Sequence, residues 1–172
     1  DGQSVSFEVG NYDPNFPLTI DPFVHLFSTY FGADGYDDFF SITGDSTGNI
    51  YLAGNTWNGT SFPTTTGAYD ETPNGFVDVV VVKISSNGTL LFSTYLGGTS
   101  ADSLQPGGGN RGTSSLALNS SDDIYVIGGT QSFDFPVVSP YQSCAGFASS
   151  AFISLLSSDG STLMESTCFA SS

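Results

Sequence analysis

The chain repeats itself over a long period, and that restricts its fold before any single residue is weighed. Leu26-Phe27-Ser28-Thr29-Tyr30-Phe31-Gly32 returns as Leu91-Phe92-Ser93-Thr94-Tyr95-Leu96-Gly97. A decayed third copy begins near the C-terminus, where Ser166-Thr167-Cys168-Phe169 stands in for Ser-Thr-Tyr-aliphatic. Each full copy carries four strand signals: short runs rich in β-branched or aromatic residues, bounded by Gly, Asn, Asp or Ser. They fall at 26–32, 39–45, 49–55 and 77–85 in the first copy, and at 91–97, 114–118, 123–128 and 151–157 in the second. No segment sustains apolar residues at i, i+3, i+4, i+7, so an all-β fold is expected.

The connections repeat as well. Ser46-Thr47-Gly48 links strand signals two and three in the first copy, and Ser120-Ser121-Asp122 does so in the second. Asn87-Gly88 and Asp159-Gly160 predict two-residue hairpin turns with positive φ at both central positions. A longer loop opens on Phe62-Pro63 and reaches Tyr69, echoed by Phe135-Pro136 and Tyr141. The second copy carries an insertion around Gln105-Pro106-Gly107-Gly108-Gly109-Asn110; no phosphate-loop Lys-Ser/Thr follows it, so it reads as a surface loop. Val79-Val80-Val81-Val82 lacks alternation and predicts a strand buried on both faces, with the Lys83 charge reaching solvent at its end. Ahead of the repeats, 5–9 and 17–20 are two further strand signals. The chain thus divides into an N-terminal two-strand leader acting as cap or exchange arm (1–25), a first blade-like repeat (26–90), a second with the Gly-rich insertion (91–163), and the first strand of a third (164–172).

Charge is sparse and one-sided: 17 Asp and Glu face only Lys83 and Arg111, for a formal charge of −15. Such a surface repels phosphate backbones and anionic lipid, which argues against nucleic acid and membrane surfaces as partners. No apolar run approaches the roughly 20 residues of a membrane span. A polar surface built from Ser, Thr, Asn and Gly suits an extracellular or cell-surface β-protein better than a cytosolic enzyme. The opening Asp1-Gly2-Gln3-Ser4 has no signal-peptide character, so either a signal has been removed or the sequence is a piece of a longer chain.

These motifs resemble the bacterial "seven-bladed β-propeller" repeat family, SBBP. The likeness runs through residues 27–32, Asp37-Asp38, 45–54, 62–69 and 78–88, and again through 92–98, 122–128, 135–141 and 150–160. The leader resembles the segment that often precedes such repeats, a Val-x-Phe-x-Val-Gly-x-Tyr-Asp strand followed by Pro-Leu-x-Ile-Asp-Pro. The resemblance implies antiparallel four-stranded propeller-like blades and says little about activity. The second copy departs from the family in losing its acidic turn to the insertion, and the third in placing Cys168 where Tyr belongs. A propeller typically takes four to eight blades to close. About two repeats make an incomplete ring, whose open strand edges are templates for strand addition.

Residues with chemical potential are few. Asp34, Asp37 and Asp38 form an acidic cluster that could bind Ca²⁺, the one cofactor considered, or could be a solvated turn; they lack the Asp-x-Asp-x-Asp-Gly order of a dedicated loop. His25 is the only histidine, and without an orienting acid and a nucleophile it reads as a strand-edge residue, so no catalytic residue is nominated and the chain reads as a non-enzyme. Cys144 and Cys168 are expected to form a disulfide when the loop folds back on the last strand. Asn58, Asn87 and Asn119 head N-glycosylation sequons, so covalent glycans are a candidate modification, although Asn87 also suits its turn. Trp57, Phe39, Phe40, Tyr51, Tyr69, Tyr125 and Tyr141 offer a sugar platform or, on the plainer reading, packing between blades. The expected function is structural: an extracellular protein that self-associates head to tail with copies of itself, by exchange of a terminal strand, into a filament or surface assembly. The alternative is a piece of a larger cell-surface propeller that binds glycan or protein.

Overall fold

The computed structural model describes residues 10–13, 15, 27–57, 61–104, 115–145 and 149–169. Among them there are nine strands and no helix. Strands β1 (Asp37–Gly44), β2 (Ile50–Trp57), β3 (Val77–Ile84) and β4 (Leu90–Leu96) form one antiparallel sheet in chain order. The second sheet is built around β7 (Ile124–Thr130), β8 (Ser150–Leu156) and β9 (Leu163–Phe169). Its inner edge is shared by two short pieces, β5 (Asp102–Ser103) and β6 (Leu116–Leu118), both pairing with β7. The Gly-rich insertion and the N-terminal leader signals lie outside the described residues.

The sheets are out of phase with the sequence repeat. β4 is the Ser-Thr-Tyr strand of the second copy, yet it pairs with the valine strand of the first, with Val80 opposite Tyr95 and Val82 opposite Ser93. β9 closes the second sheet in the same way, with Phe152 opposite Cys168 and Ser154 opposite Ser166. Each sheet therefore takes three strands from one repeat and its last strand from the next. The strand expected at 26–32 is corrected by this offset: residues 27–33 form no strand and pair with none among the described residues. A strand exists through its ladder, and no described strand occupies the place that β3 takes beside β4.

The two sheets pack face to face. Tyr51, Ala53, Val79 and Val81 of the first meet Ile124, Val126, Phe152 and Leu156 of the second in one apolar core. The opposite face of the first sheet, Val80, Val82 and Ile84, packs with Phe62 and Tyr95, and Phe27 and Phe31 lie against it. All four residues Val79 to Val82 are fully buried, as the unbroken run predicts, at about 1.5–3 kcal/mol of transfer free energy each. Polar contacts cross the same seam: Asn55 donates to the Ser103 hydroxyl at 2.7 Å and accepts from the Leu104 amide at 2.9 Å. The Lys83 side chain is 14 % exposed and is held by partners at the strand end. Its ammonium lies 3.9 Å from Asp45, donates to the Ser158 carbonyl of the second sheet at 3.2 Å, and sits 4.7 Å from the centre of the Tyr51 ring.

The hairpins also differ from the two-residue turns expected. The Gly88 amide donates to the Ser85 carbonyl and the Ser85 amide to the Thr89 carbonyl, and only Gly88 has positive φ. This is a three-residue loop, a type I turn followed by a left-handed residue that makes a bulge. The β1–β2 loop repeats it with Gly48; the β8–β9 loop keeps the turn and a left-handed Gly160 but is one residue longer, the Ser157 amide donating to the Thr162 carbonyl. In the β6–β7 loop the left-handed place falls to Asp122, at φ 62°. Side-chain carboxylates and amides complete the loops. Asp159 accepts from the Ser157 hydroxyl at 2.6 Å and from the Ser161 amide and hydroxyl at 3.0 and 2.8 Å. Asp45 accepts from Thr47 and Asn49, and although burial pushes its carboxyl up, those hydrogen bonds prevail and hold it well below the usual carboxylate range.

The outer sheet edges are covered internally, which corrects the expectation that they stay open. The Thr65 amide donates to the Ser93 carbonyl at 3.1 Å, the Tyr95 amide to the Asp70 carbonyl at 3.0 Å, and Thr94 exchanges bonds with the Asp70 backbone. Val138 pairs with Ser166 and Gln142 with Thr167 and Cys168 in the second sheet. The Phe-Pro loop of each copy folds back along the Ser-Thr-Tyr strand that closes its sheet.

Two outcomes follow for the hairpins. Asp122→Gly removes the cost of a left-handed non-glycine residue and is expected to raise stability by about 1 kcal/mol, read as a higher urea midpoint. The Asp159 carboxyl is lowered to about 2 by the Ser157 hydroxyl and the Ser161 amide and hydroxyl. Its stabilising contribution is therefore complete above the ordinary carboxylate value and is lost as pH falls through about 2. The amide resonance of Ser161, followed by NMR, should titrate with that midpoint and lose the transition in Asp159→Asn.

Candidate functional site

Internal repetition supplies the yardstick for locating a site, because each residue of one copy shows what its counterpart in the other should be doing. Ser93 and Thr94 are buried and Tyr95 is 1 % exposed, inside the first sheet and its loop. Their counterparts Ser28 and Thr29 are exposed, and Tyr30 is fully so. The Phe27 ring nonetheless sits over Gly88 as the Phe92 ring sits over Gly160. Segment 27–33 thus occupies the position of a closing strand whose own sheet is missing from the described residues. A shallow hollow lined by Tyr30, Phe31, Gly32, Gly35 and Asp37 marks the place.

The far side of the second sheet shows the complementary deficit. Tyr51, Ala53 and Val81 are buried where the first sheet meets the second. Their counterparts Tyr125, Ile127 and Ile153 are exposed by 38, 49 and 36 %. An open groove there is lined by Tyr125, Val138, Tyr141, Ile153 and Glu165, and Tyr141 stacks on Phe169 with ring centres 6.2 Å apart. The second sheet therefore exposes a face whose counterpart is buried where the sheets meet, and the first exposes a closing segment whose counterpart is buried within its own sheet.

A polar row crosses each sheet near one rim. Asp37, Thr56 and Asp78 lie directly opposite one another on β1, β2 and β3, and Asp102, Thr130 and Ser150 do so on β5, β7 and β8. Cross-strand partners share a sheet face. Asp37 accepts from the Ala33 amide, Asp102 from the Gly98 amide at 2.6 Å, and Asp78 from the Asn74 and Gly75 amides at 2.9 and 3.1 Å. Burial pushes the Asp78 carboxyl up against the pull of the Gly75 and Asn74 amides, with the Asp102 charge adding to the rise. Burial likewise pushes Asp102 up, offset in part by the nearby Thr130 hydroxyl, the Gly98 amide and the Ser132 hydroxyl. The sequence reading missed Asp78 and Asp102; the signal was present, since Gly32 and Asp37 recur as Gly97 and Asp102.

Other candidate residues fall as follows. Asp34, Asp37 and Asp38 do not converge: Asp37 turns inward to the Ala33 amide, while Asp34 and Asp38 are exposed. Adjacent strand residues point to opposite faces, which separates Asp37 from Asp38. Among the described residues no three His, Cys, Asp or Glu side chains are grouped to hold a metal ion. His25 and Asn58 lie outside the described residues. Asn87 is exposed in its loop, its side-chain oxygen accepting from Ser85 and Thr89. Asn119 is half-buried and donates its side-chain amide to Asp123 at 3.0 Å, so its loop engages the group a glycan would need. Tyr51 belongs to the core, whereas Tyr125 and Tyr141 are exposed. Cys144 and Cys168 are joined in a disulfide with Cα atoms 5.2 Å apart, tying the loop after Tyr141 to β9.

The comparison with known families fits this geometry. The SBBP family, described as beta-propeller repeat, matches residues 26–63. The chain carries an SBBP-type β-propeller repeat. That matched stretch runs from the unsatisfied Ser-Thr-Tyr segment through β1 and β2 to the Phe-Pro loop. The two sheets are propeller-like blades, and among the described residues they close no ring. The family is typically non-catalytic. No curated protein matches the chain. Among the described residues no helix is long and apolar enough to cross a membrane.

The disulfide closes a loop of 24 positions. Replacing both cysteines by serine is expected to cost about 3 kcal/mol, seen as a lower denaturation midpoint that the wild-type chain reproduces only in reductant.

Proposed function

We propose that the two blades work as a segment of a larger array of like blades, forming a non-catalytic structural or binding surface outside the cell. The observation that carries this reading is Tyr30, fully exposed beside Ser28 and Thr29, while the equivalent Tyr95 is buried inside a blade. A neighbouring blade would give residues 27–33 the ladder that β3 gives β4. Another, against the far side of the second blade, would cover Tyr125, Ile127 and Ile153. Further repeats of one polypeptide or other copies of this chain could supply them, and the two cases share the same contacts.

Exchange of the C-terminal strand is the less favoured route. β9 is paired along β8, covered by residues of the Phe-Pro loop, and tied to its own blade by Cys168. The exposed apolar face of the second blade favours packing by faces instead. The extracellular setting draws on the disulfide, which persists in oxidising compartments, and on the acidic, lysine-poor composition.

Light scattering and intact mass of the material as isolated from its source test this. The expected result is either a longer polypeptide with further Ser-Thr-Tyr repeats or an oligomer of this one. In the oligomer, Ile127→Asp is expected to weaken association at least about tenfold, the equivalent of 1.4 kcal/mol. A stable monomer of 17.9 kDa at high concentration, with Tyr30 still open to solvent, would overturn the reading.

A further inference from the structure

The polar rows hold an unmet demand that the propeller architecture does not explain. Among the described residues, six buried side-chain oxygens meet no hydrogen bond of good geometry. Five of them belong to these rows: Asp37 Oδ1, Thr56 Oγ1, Asp78 Oδ1, Asp102 Oδ1 and Ser150 Oγ; the other is Ser93 Oγ. Buried oxygens left without a partner are costly, and charged ones most so.

The demand is sharpest where the blades meet. Asp78 comes from the first blade and Asp102 from the second, and they are 1 and 0 % exposed. Asp78 Oδ1, which has no hydrogen bond, and Asp102 Oδ2, which accepts from the Gly98 amide and the Ser132 hydroxyl, lie under 3.0 Å from the point where a Cβ on Gly97 would sit, so the bare glycine lets the two carboxylates approach one spot. Thr56, itself 1 % exposed, stands directly opposite Asp78 in the β2–β3 register and adds an unpartnered neutral oxygen. No protein cation answers this charge among the described residues, since Lys83 is committed to the hairpin end of β3 at Asp45. Two desolvated carboxylates repel each other and call for a positive charge between them.

We propose that Asp78 and Asp102, straddling Gly97 with the Thr56 hydroxyl beside them, hold a hard divalent cation of the Ca²⁺ class at the seam between the blades. The ion would take carboxylate and hydroxyl oxygens from the chain and complete its shell with backbone carbonyls and water, as Ca²⁺ does at 6–8 oxygens. Two carboxylates place its affinity with the weaker extracellular sites, roughly 10⁻⁴–10⁻³ M. In this role it cements one blade to the next. Gly32 and Asp37 repeat half of the arrangement at the open end of the first blade, where Asp37 Oδ2 lies 2.7 Å from the Gly32 Cβ position. Ser150 takes the place of Asp78 in the second blade, so the described residues contain one complete pair.

The test is thermal melting of the whole chain after removal of metal with EDTA, followed by titration with CaCl₂. At a concentration about 100-fold above Kd, the melting temperature is expected to rise by roughly 5–10 °C. Asp78→Asn/Asp102→Asn should abolish that rise, and Asp34→Asn/Asp38→Asn, which alters only exposed acids, should keep it. No rise in the wild-type chain, or an equal rise in Asp78→Asn/Asp102→Asn, would overturn the proposal and assign any calcium response to the acidic surface. If the paired variant does not fold, calorimetry decides: a saturable one-to-one heat that weakens several-fold in Thr56→Val supports the site, and heat that fails to saturate overturns it.

Discussion

Everything in this molecule depends on the pairing of a Ser-Thr-Tyr strand with the valine strand of the repeat before it. β3 is buried on both faces, and its backbone must be satisfied on both edges. β2 serves one edge and β4 the other, with Val80 facing Tyr95 and Val82 facing Ser93. Since β4 belongs to the next repeat, no repeat can finish its own sheet, and successive repeats are locked together by backbone hydrogen bonds as well as by apolar contact. The same dependence leaves residues 27–33 without a sheet to close among the described residues.

The Phe-Pro loop carries the arrangement one step further. A sheet ending in β4 or β9 would present a row of free backbone groups and invite uncontrolled pairing. The loop lays Thr65 and Asp70 along β4, and Val138 and Gln142 along β9, so that those groups are spent internally. In the second blade the disulfide fixes the loop to the strand it covers. What stays exposed among the described residues is the far face of the second blade and the segment 27–33.

Charge follows the same geometry. Carboxylates serve the loops at one rim, where Asp45 and Asp159 accept hydrogen bonds from neighbouring amides and hydroxyls and remain anionic. At the other rim, Asp78 and Asp102 are held between blades, where burial works against their charge. Lys83 joins the two blades at the loop rim through Asp45 and the Ser158 carbonyl.

Much of this was legible in the sequence. Runs of β-branched and aromatic residues bounded by Gly, Asn and Asp, with the decayed third copy, marked eight of the nine described strands to within a few residues, and Val79 to Val82 announced the doubly buried one, because such patterns act locally through backbone preference and burial. β5 was illegible because two residues between a turn and an insertion carry no pattern. The turn type was misjudged because Asn-Gly is compatible with more than one loop geometry, and the twist and register of the strands select among them. The Asn87-Gly88 and Asp159-Gly160 turns also announced that the last strand of one copy pairs with the first of the next. What only the tertiary structure decided is which edges are covered, and that Asp78 and Asp102 meet at Gly97 while Asp37 and Asp38 part. Sequence spacing counts residues along one chain, whereas these outcomes depend on hydrogen bonds and burial between segments far apart in it.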